Sequence, residues 1–138
     1  MGQAEIPGRK PIRRQRWYYF DDKGIMQSGW ICDKAGKWYY CNTEKESPYG
    51  KMVTGWRLDT RDGNWYYLDP LNGVMTQGWR KIDGKWYYFS PVGAGVYAMT
   101  RKQQWIYGGG TGRPLGSMYK NEITPDGYQT DADGAWIQ

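Results

Sequence analysis

The chain has 138 residues, a formal net charge of +5, no histidine and two cysteines. That is room for one domain, with nothing from which to build a histidine-dependent catalytic centre or a zinc site. Nine tryptophans and thirteen tyrosines stand against two phenylalanines, so the apolar surface lies in rings with large burial energy, which argues against disorder despite the high polarity.

In chain order the first segment is an arm. Pro7-Gly8-Arg9-Lys10-Pro11 has linker composition, and Arg9, Lys10, Arg13, Arg14 and Arg16 place five positive charges in eight residues. Beyond residue 16 there are 14 basic and 13 acidic side chains, a net of +1. The excess charge therefore belongs to residues 1–16, expected as a solvated arm or linker, and residues 17–138 are expected to form the folded array. No basic stripe follows the aromatic residues, so nucleic acid is not the expected partner. No apolar run reaches membrane-spanning length and no signal-peptide core is present, so no membrane insertion is expected.

From residue 17 the sequence repeats. Aromatic triplets stand at Trp17-Tyr18-Tyr19, Trp38-Tyr39-Tyr40, Trp65-Tyr66-Tyr67 and Trp86-Tyr87-Tyr88, starting 21, 27 and 21 residues apart. The first three are followed by Gly29-Trp30, Gly55-Trp56 and Gly78-Trp79, each with a methionine four residues before the tryptophan: Met26, Met52 and Met75. Such periods mark repeat arrays, in which each unit packs on its neighbours. Between each Gly-Trp pair and the next triplet lies a turn signal, Ala35-Gly36, Asp62-Gly63 or Asp83-Gly84, which predicts a β-hairpin. A single hairpin is marginal in water. The expectation is an all-β, elongated solenoid of stacked hairpins.

Alternation along a strand puts Trp65 and Tyr67 on one face and Tyr66 and Leu68 on the other. Trp65 is expected to face a ligand and Tyr66 the packed side. Cys41 follows its triplet where Phe20, Leu68 and Phe89 follow theirs, an apolar packing position. Its pairing with Cys32 stays open, with a free thiol the preferred reading.

Strand aromatics can serve packing alone. Tryptophan recurring where leucine or valine would suit a core, however, points to cages for a poorly hydrated cation. A quaternary ammonium fits best, because it has methyl groups to bury and no N–H that needs a partner.

With these residues in place, the sequence resembles the choline-binding, or cell-wall-binding, repeats of Gram-positive surface proteins and phage-type lysins. The pattern stands as Gly55-Trp56, then Gly63-Asn64-Trp65-Tyr66-Tyr67, then Gly73-Val74-Met75-Thr76-Gln77-Gly78-Trp79. It runs closely over residues 17–89 and in degenerate form beyond, where Pro125-Asp126-Gly127-Tyr128 and Asp133-Gly134-Ala135-Trp136 are similar to a terminal hairpin. The resemblance implies a non-catalytic extracellular module at the cell wall or cell surface, binding choline on teichoic or lipoteichoic acid and needing no cofactor. It is compatible with a homodimer and with a functional domain fused upstream.

The resemblance also implies sites at hairpin junctions. One is Trp30, Trp38 and Trp56 with Met52; a second is Trp56, Trp65 and Trp79 with Met75. A site using Trp17 and Trp30 lacks an aromatic near Arg9. After Trp86 the Gly-Trp pair is lost, and Met99 is followed by residues leading to Trp105. Trp105 either closes a third site with Trp79 and Trp86 or opens a modified triplet. The insertion Glu44-Lys45-Glu46-Ser47-Pro48 lengthens the second repeat and threatens the first site.

The alternative function is a glucan- or polysaccharide-binding module, although such repeats usually lack the second, glycine-linked tryptophan. A catalytic role has no nucleophile, base or paired carboxylates in a recognisable arrangement. A purely structural spacer would show no response to choline.

Overall fold

The triplets and the Gly-Trp pairs become the strands. In a computed structural model, the backbone is described for residues 9–12, 16–91, 97–99, 105–107 and 113–138, and the side chains for 17–91 and 113–138. Consecutive strands pair: β1 (Arg9–Ile12) with β2 (Arg16–Tyr19), β3 (Gly29–Cys32) with β4 (Trp38–Cys41), and β5 (Gly55–Asp59) with β6 (Asn64–Leu68). The same holds for β7 (Gly78–Ile82) with β8 (Lys85–Phe89) and β9 (Tyr97–Met99) with β10 (Trp105–Tyr107). The four registered pairs are antiparallel, and no helix occurs among the described residues. The β-hairpin repeat class expected from the spacing is the observed one.

Residue chemistry sets the hairpin geometry. The β7–β8 connection is Asp83-Gly84, flanked by the Ile82–Lys85 pair. Both turn residues have positive φ, 50° and 85°, the combination that a two-residue turn needs to match the strand twist. Between β3 and β4, Asp33 Oδ1 accepts from the backbone N–H groups of Ala35 and Lys37, each at 2.9 Å. This side-chain cap is one reason aspartate recurs in these turns.

The chain divides into two compact units, one comprising Met1–Arg57 and Leu68–Met75, the other Leu58–Tyr67 and Thr76–Gln138. The core of the first is Trp17, Ile31, Tyr39, Cys41 and Met52, with Tyr19 and Val74 against it. The core of the second is Tyr67, Ile82, Phe89 and Met118, with Trp65 and Tyr87 against it.

Within each unit the hairpins are joined by a repeating backbone bond. The amide of Met52 donates to the Trp17 carbonyl (2.7 Å) and that of Met75 to Trp38 (2.8 Å). In the second unit Met118 donates to Trp65 (2.9 Å) and Trp136 to Trp86 (2.8 Å). The methionines also bridge the residue after each triplet: Phe20–Met26, Cys41–Met52, Leu68–Met75 and Phe89–Met118. Cys41, Leu68 and Phe89 are fully buried there.

The fourth repeat methionine is Met118: Ser90 N–H donates to the Ser117 carbonyl at 2.9 Å as Asp69 N–H does to Val74 at 2.8 Å, so the added sequence lies between Ser90 and Gly116. Trp105 begins β10, and its side chain, on which the choice between a third site and a modified triplet turns, lies outside the described residues. In the arm, Arg9–Ile12 is paired with β2, Arg9 opposite Tyr19, so the first hairpin starts inside the segment expected as linker.

No disulfide joins the two cysteines, Cys32 being exposed and Cys41 buried. Their register explains this. Cys32 stands opposite Trp38 and Cys41 opposite Gly29, an odd offset that sends the two side chains to opposite faces.

Candidate functional site

Strand pairing brings Trp30 and Trp79 each against the last tyrosine of its hairpin's triplet. Trp30 is opposite Tyr40 and meets it edge-on at 5.1 Å; Trp79 is opposite Tyr88 and meets it at 4.9 Å. Edge-to-face contacts at this range are the favoured aromatic geometry, so Trp30 and Trp79 are each held by their own hairpin.

In the second unit these anchors build a pocket. Trp79 also packs edge-on against Tyr128 (5.8 Å) and Trp136 (6.4 Å), and those two rings meet at 5.6 Å. With Trp86 and Asp126 they line an open pocket of about 440 Å³. Trp86 is 38% exposed, so one wall is an accessible ring. Asp126 accepts from Trp79 Nε1–H at 2.9 Å and from the Thr124 hydroxyl. The bonds from Thr124 and Trp79 hold the Asp126 carboxyl below the usual carboxylate range.

Trp79 and Trp86 thus line one pocket, and Tyr128, Trp136 and Asp126 are the lining residues the repeat pattern missed. The available signals were Asp126-Gly127 and Gly134-Ala135-Trp136, legible as a terminal hairpin though not as part of a site. Bridges Ile123–Gln129 and Thr130–Trp136 close two successive turns there.

The residues of the first expected site, Trp30, Trp38, Trp56 and Met52, all belong to the first unit. Trp30 and Met52 are buried, Trp38 is half-buried and Trp56 is exposed. The insertion that threatened this site has a defined role. Its Glu46 carboxylate binds Arg57 Nη1 at 2.9 Å and accepts from the Tyr40 hydroxyl and the Thr43 amide. Arg57 then lies 3.5 Å over the Tyr40 ring centroid, so an internal cation covers that face. Burial pushes the Glu46 carboxyl up, but the bonds from Thr43, Tyr40 and Arg57 prevail and hold it at about 2.

The second expected set is divided, Trp56 and Met75 in the first unit, Trp65 and Trp79 in the second. Trp65 is half-buried against its unit's core, and Tyr66, Tyr67 and Leu68 are all buried. β6 therefore shows no outward face of free rings, because neighbours cover both sides of a strand this short. Met52 sits within the first core and its thioether seats over Gly73. Among the described residues no cluster of His, Cys, Asp or Glu could hold a metal ion.

Antiparallel hairpins tied by periodic methionines, with an aromatic pocket at a junction, define an aromatic-repeat module. The chain belongs to the choline-binding repeat family: that profile matches residues 8–47 and 45–77, and a cell wall binding repeat profile matches residues 77–93. Among solved structures it is similar to CbpF in complex with ipratropium, at 33% identity over 96% of this chain and 32% of that one, with a TM-score of 0.67. It is similar to CbpJ from Streptococcus pneumoniae at 30% identity over 95% of this chain and 48% of that one, TM-score 0.53. The choline binding domain of Spr1274 from Streptococcus pneumoniae matches at 29% identity over 81% and 96%, TM-score 0.53. The chain thus spans a third to a half of the length of CbpF and CbpJ. No match is found among curated proteins.

Proposed function

We propose that this chain is a non-catalytic module that binds choline groups, including the phosphocholine of teichoic and lipoteichoic acids, at the surface of a Gram-positive cell. One observation carries the reading: Trp79, Trp86, Tyr128 and Trp136 wall an open pocket beside a carboxylate. Each ring face attracts a soft cation by about 0.5–2 kcal/mol, and three or four rings, less the cost of immobilisation, give an affinity of millimolar order. Weak sites on one polymer-bound module gain strength by avidity. Trp30, Trp38 and Trp56 with Met52 are proposed as a further site.

The test is a tryptophan-fluorescence titration with choline, tetramethylammonium, ammonium and dextran. The first two should give saturable changes at millimolar concentration, and Trp136→Leu should lose part of the amplitude. Ammonium should give none, since its N–H groups stay hydrated. A response to dextran with none to choline would establish the glucan-binding alternative instead.

A further inference from the structure

We propose that Asp126 makes the terminal pocket select choline with a free hydroxyl over choline carrying a phosphate, so that a polymer-linked group is held there more weakly than the free alcohol. The inference rests on the reading of this pocket as a choline site.

A cage of rings alone recognises only the ammonium end and is indifferent to what the oxygen of the ligand bears. This pocket is different. Asp126 lines it on the exposed side, together with four rings. Its position is fixed from two directions: Trp79 Nε1–H donates to Oδ2 and the buried Thr124 hydroxyl donates to Oδ1. Thr124 is itself locked, because its N–H donates to the Tyr128 carbonyl at 2.7 Å and its hydroxyl accepts from the Tyr128 N–H at 3.1 Å. One tight turn therefore sets both a ring of the cage and the carboxylate beside it.

An ionised carboxylate offers about four lone-pair sites, and these two bonds leave acceptor capacity facing the pocket. The carboxylate is ionised at neutral pH, and the hydrogen bonds from Thr124 and Trp79 shift its pKa further down. With the ammonium of a ligand against the rings, its two-carbon arm brings its oxygen end within reach of Asp126. A free hydroxyl donates a hydrogen bond to the carboxylate. A phosphate has no such donor and meets a like charge. Two charges about 6 Å apart in a mostly aqueous setting repel enough to change affinity about three- to tenfold, and the lost hydrogen bond acts in the same direction.

The experiment follows the indole N–H signals of Trp86 and Trp136 in the ¹⁵N-labelled chain during titration with choline and with phosphocholine. Signals are assigned from Trp86→Phe and Trp136→Phe, and the comparison is repeated in Asp126→Asn. The wild type should bind choline at least about threefold more tightly than phosphocholine at this pocket, with the preference shrinking in high salt. In Asp126→Asn the two affinities should converge, while indole signals remote from the pocket keep their positions and report an intact fold. Equal wild-type affinities, or a preference that survives Asp126→Asn, would overturn the role of Asp126 and leave the pocket as a choline site. No shift of either indole with choline would overturn the pocket reading as well.

Discussion

Tyr66 and Trp86, from successive triplets, show how the repeat separates packing from presentation. Tyr66 is 3% exposed, its hydroxyl donates to Asp62 at 2.6 Å, and burial followed by that bond pushes its pKa up. Tyr66→Ala should cost about 3–5 kcal/mol, the usual range for a buried aromatic, read as a lowered urea midpoint. Trp86→Ala should leave that midpoint nearly unchanged but lose choline response at the terminal pocket. Trp65, expected to face a ligand, packs partly against the core, so Trp65→Ala would mix the two effects. Glu46 supplies a second residue-level test. Its folded pKa, about 2, lies below its ordinary 4.5. The stability it contributes is therefore complete above pH 4.5 and is lost as pH falls through about 2. Denaturant melts at pH 5 and near pH 2.5 should show a smaller acid loss in Glu46→Gln than in the wild type.

At the scale of the element, methionine and glycine form the joint between successive hairpins. A Cβ built on Gly73 would stand 2.7 Å from Met52 Cε, and one on Gly50 2.6 Å from Met26 Cε. Gly73 also has φ +77°, whereas Gly63, at φ +73°, has nothing within 4 Å. Gly63→Ala should therefore show only the left-handed backbone cost, about 1–2 kcal/mol. Gly73→Ala adds overpacking of about 1–3 kcal/mol, and the difference between the two urea midpoints isolates the methionine contact. Equal losses would mean that Met52 simply moves aside. This joint also explains what was legible in the sequence. Turn and strand positions follow from local chemistry, Asp83-Gly84 and the triplets, and were readable directly. The terminal pocket was not, because residues 91–115 interrupt the period. The repeat resumes at Gly116-Ser117-Met118 with altered residues: Asn121, at φ 54°, stands where Gly29, Gly55 and Gly78 stand after their methionines, and Glu122 follows in place of tryptophan. Tyr128 and Trp136 then reach Trp79 by tertiary packing that no local pattern announces.

For the whole molecule, ligand binding and folding are linked. Hairpins that gain stability only from their neighbours stand close to the margin, and a ligand that binds only the folded state stabilises it by RT ln(1 + [L]/Kd) per site, about 2.7 kcal/mol at a hundredfold excess. Choline should therefore raise the thermal midpoint progressively with concentration, and ammonium chloride at equal ionic strength should not. The cluster of basic residues near the amino terminus offers a competing explanation, attraction of the phosphates on an anionic polymer, and salt separates the two. Binding by phosphate neutralisation weakens steeply and linearly in log–log form as salt rises, whereas free choline is itself a cation and gains nothing from Arg9, Lys10 or Arg13. A choline-induced shift that persists at high salt, and falls in Trp136→Leu, places the linkage on the rings. No shift with free choline, together with binding of the anionic polymer that disappears with salt and ignores Trp136, would assign attachment to charge, and the aromatic pockets would then have no part in holding the chain to its ligand.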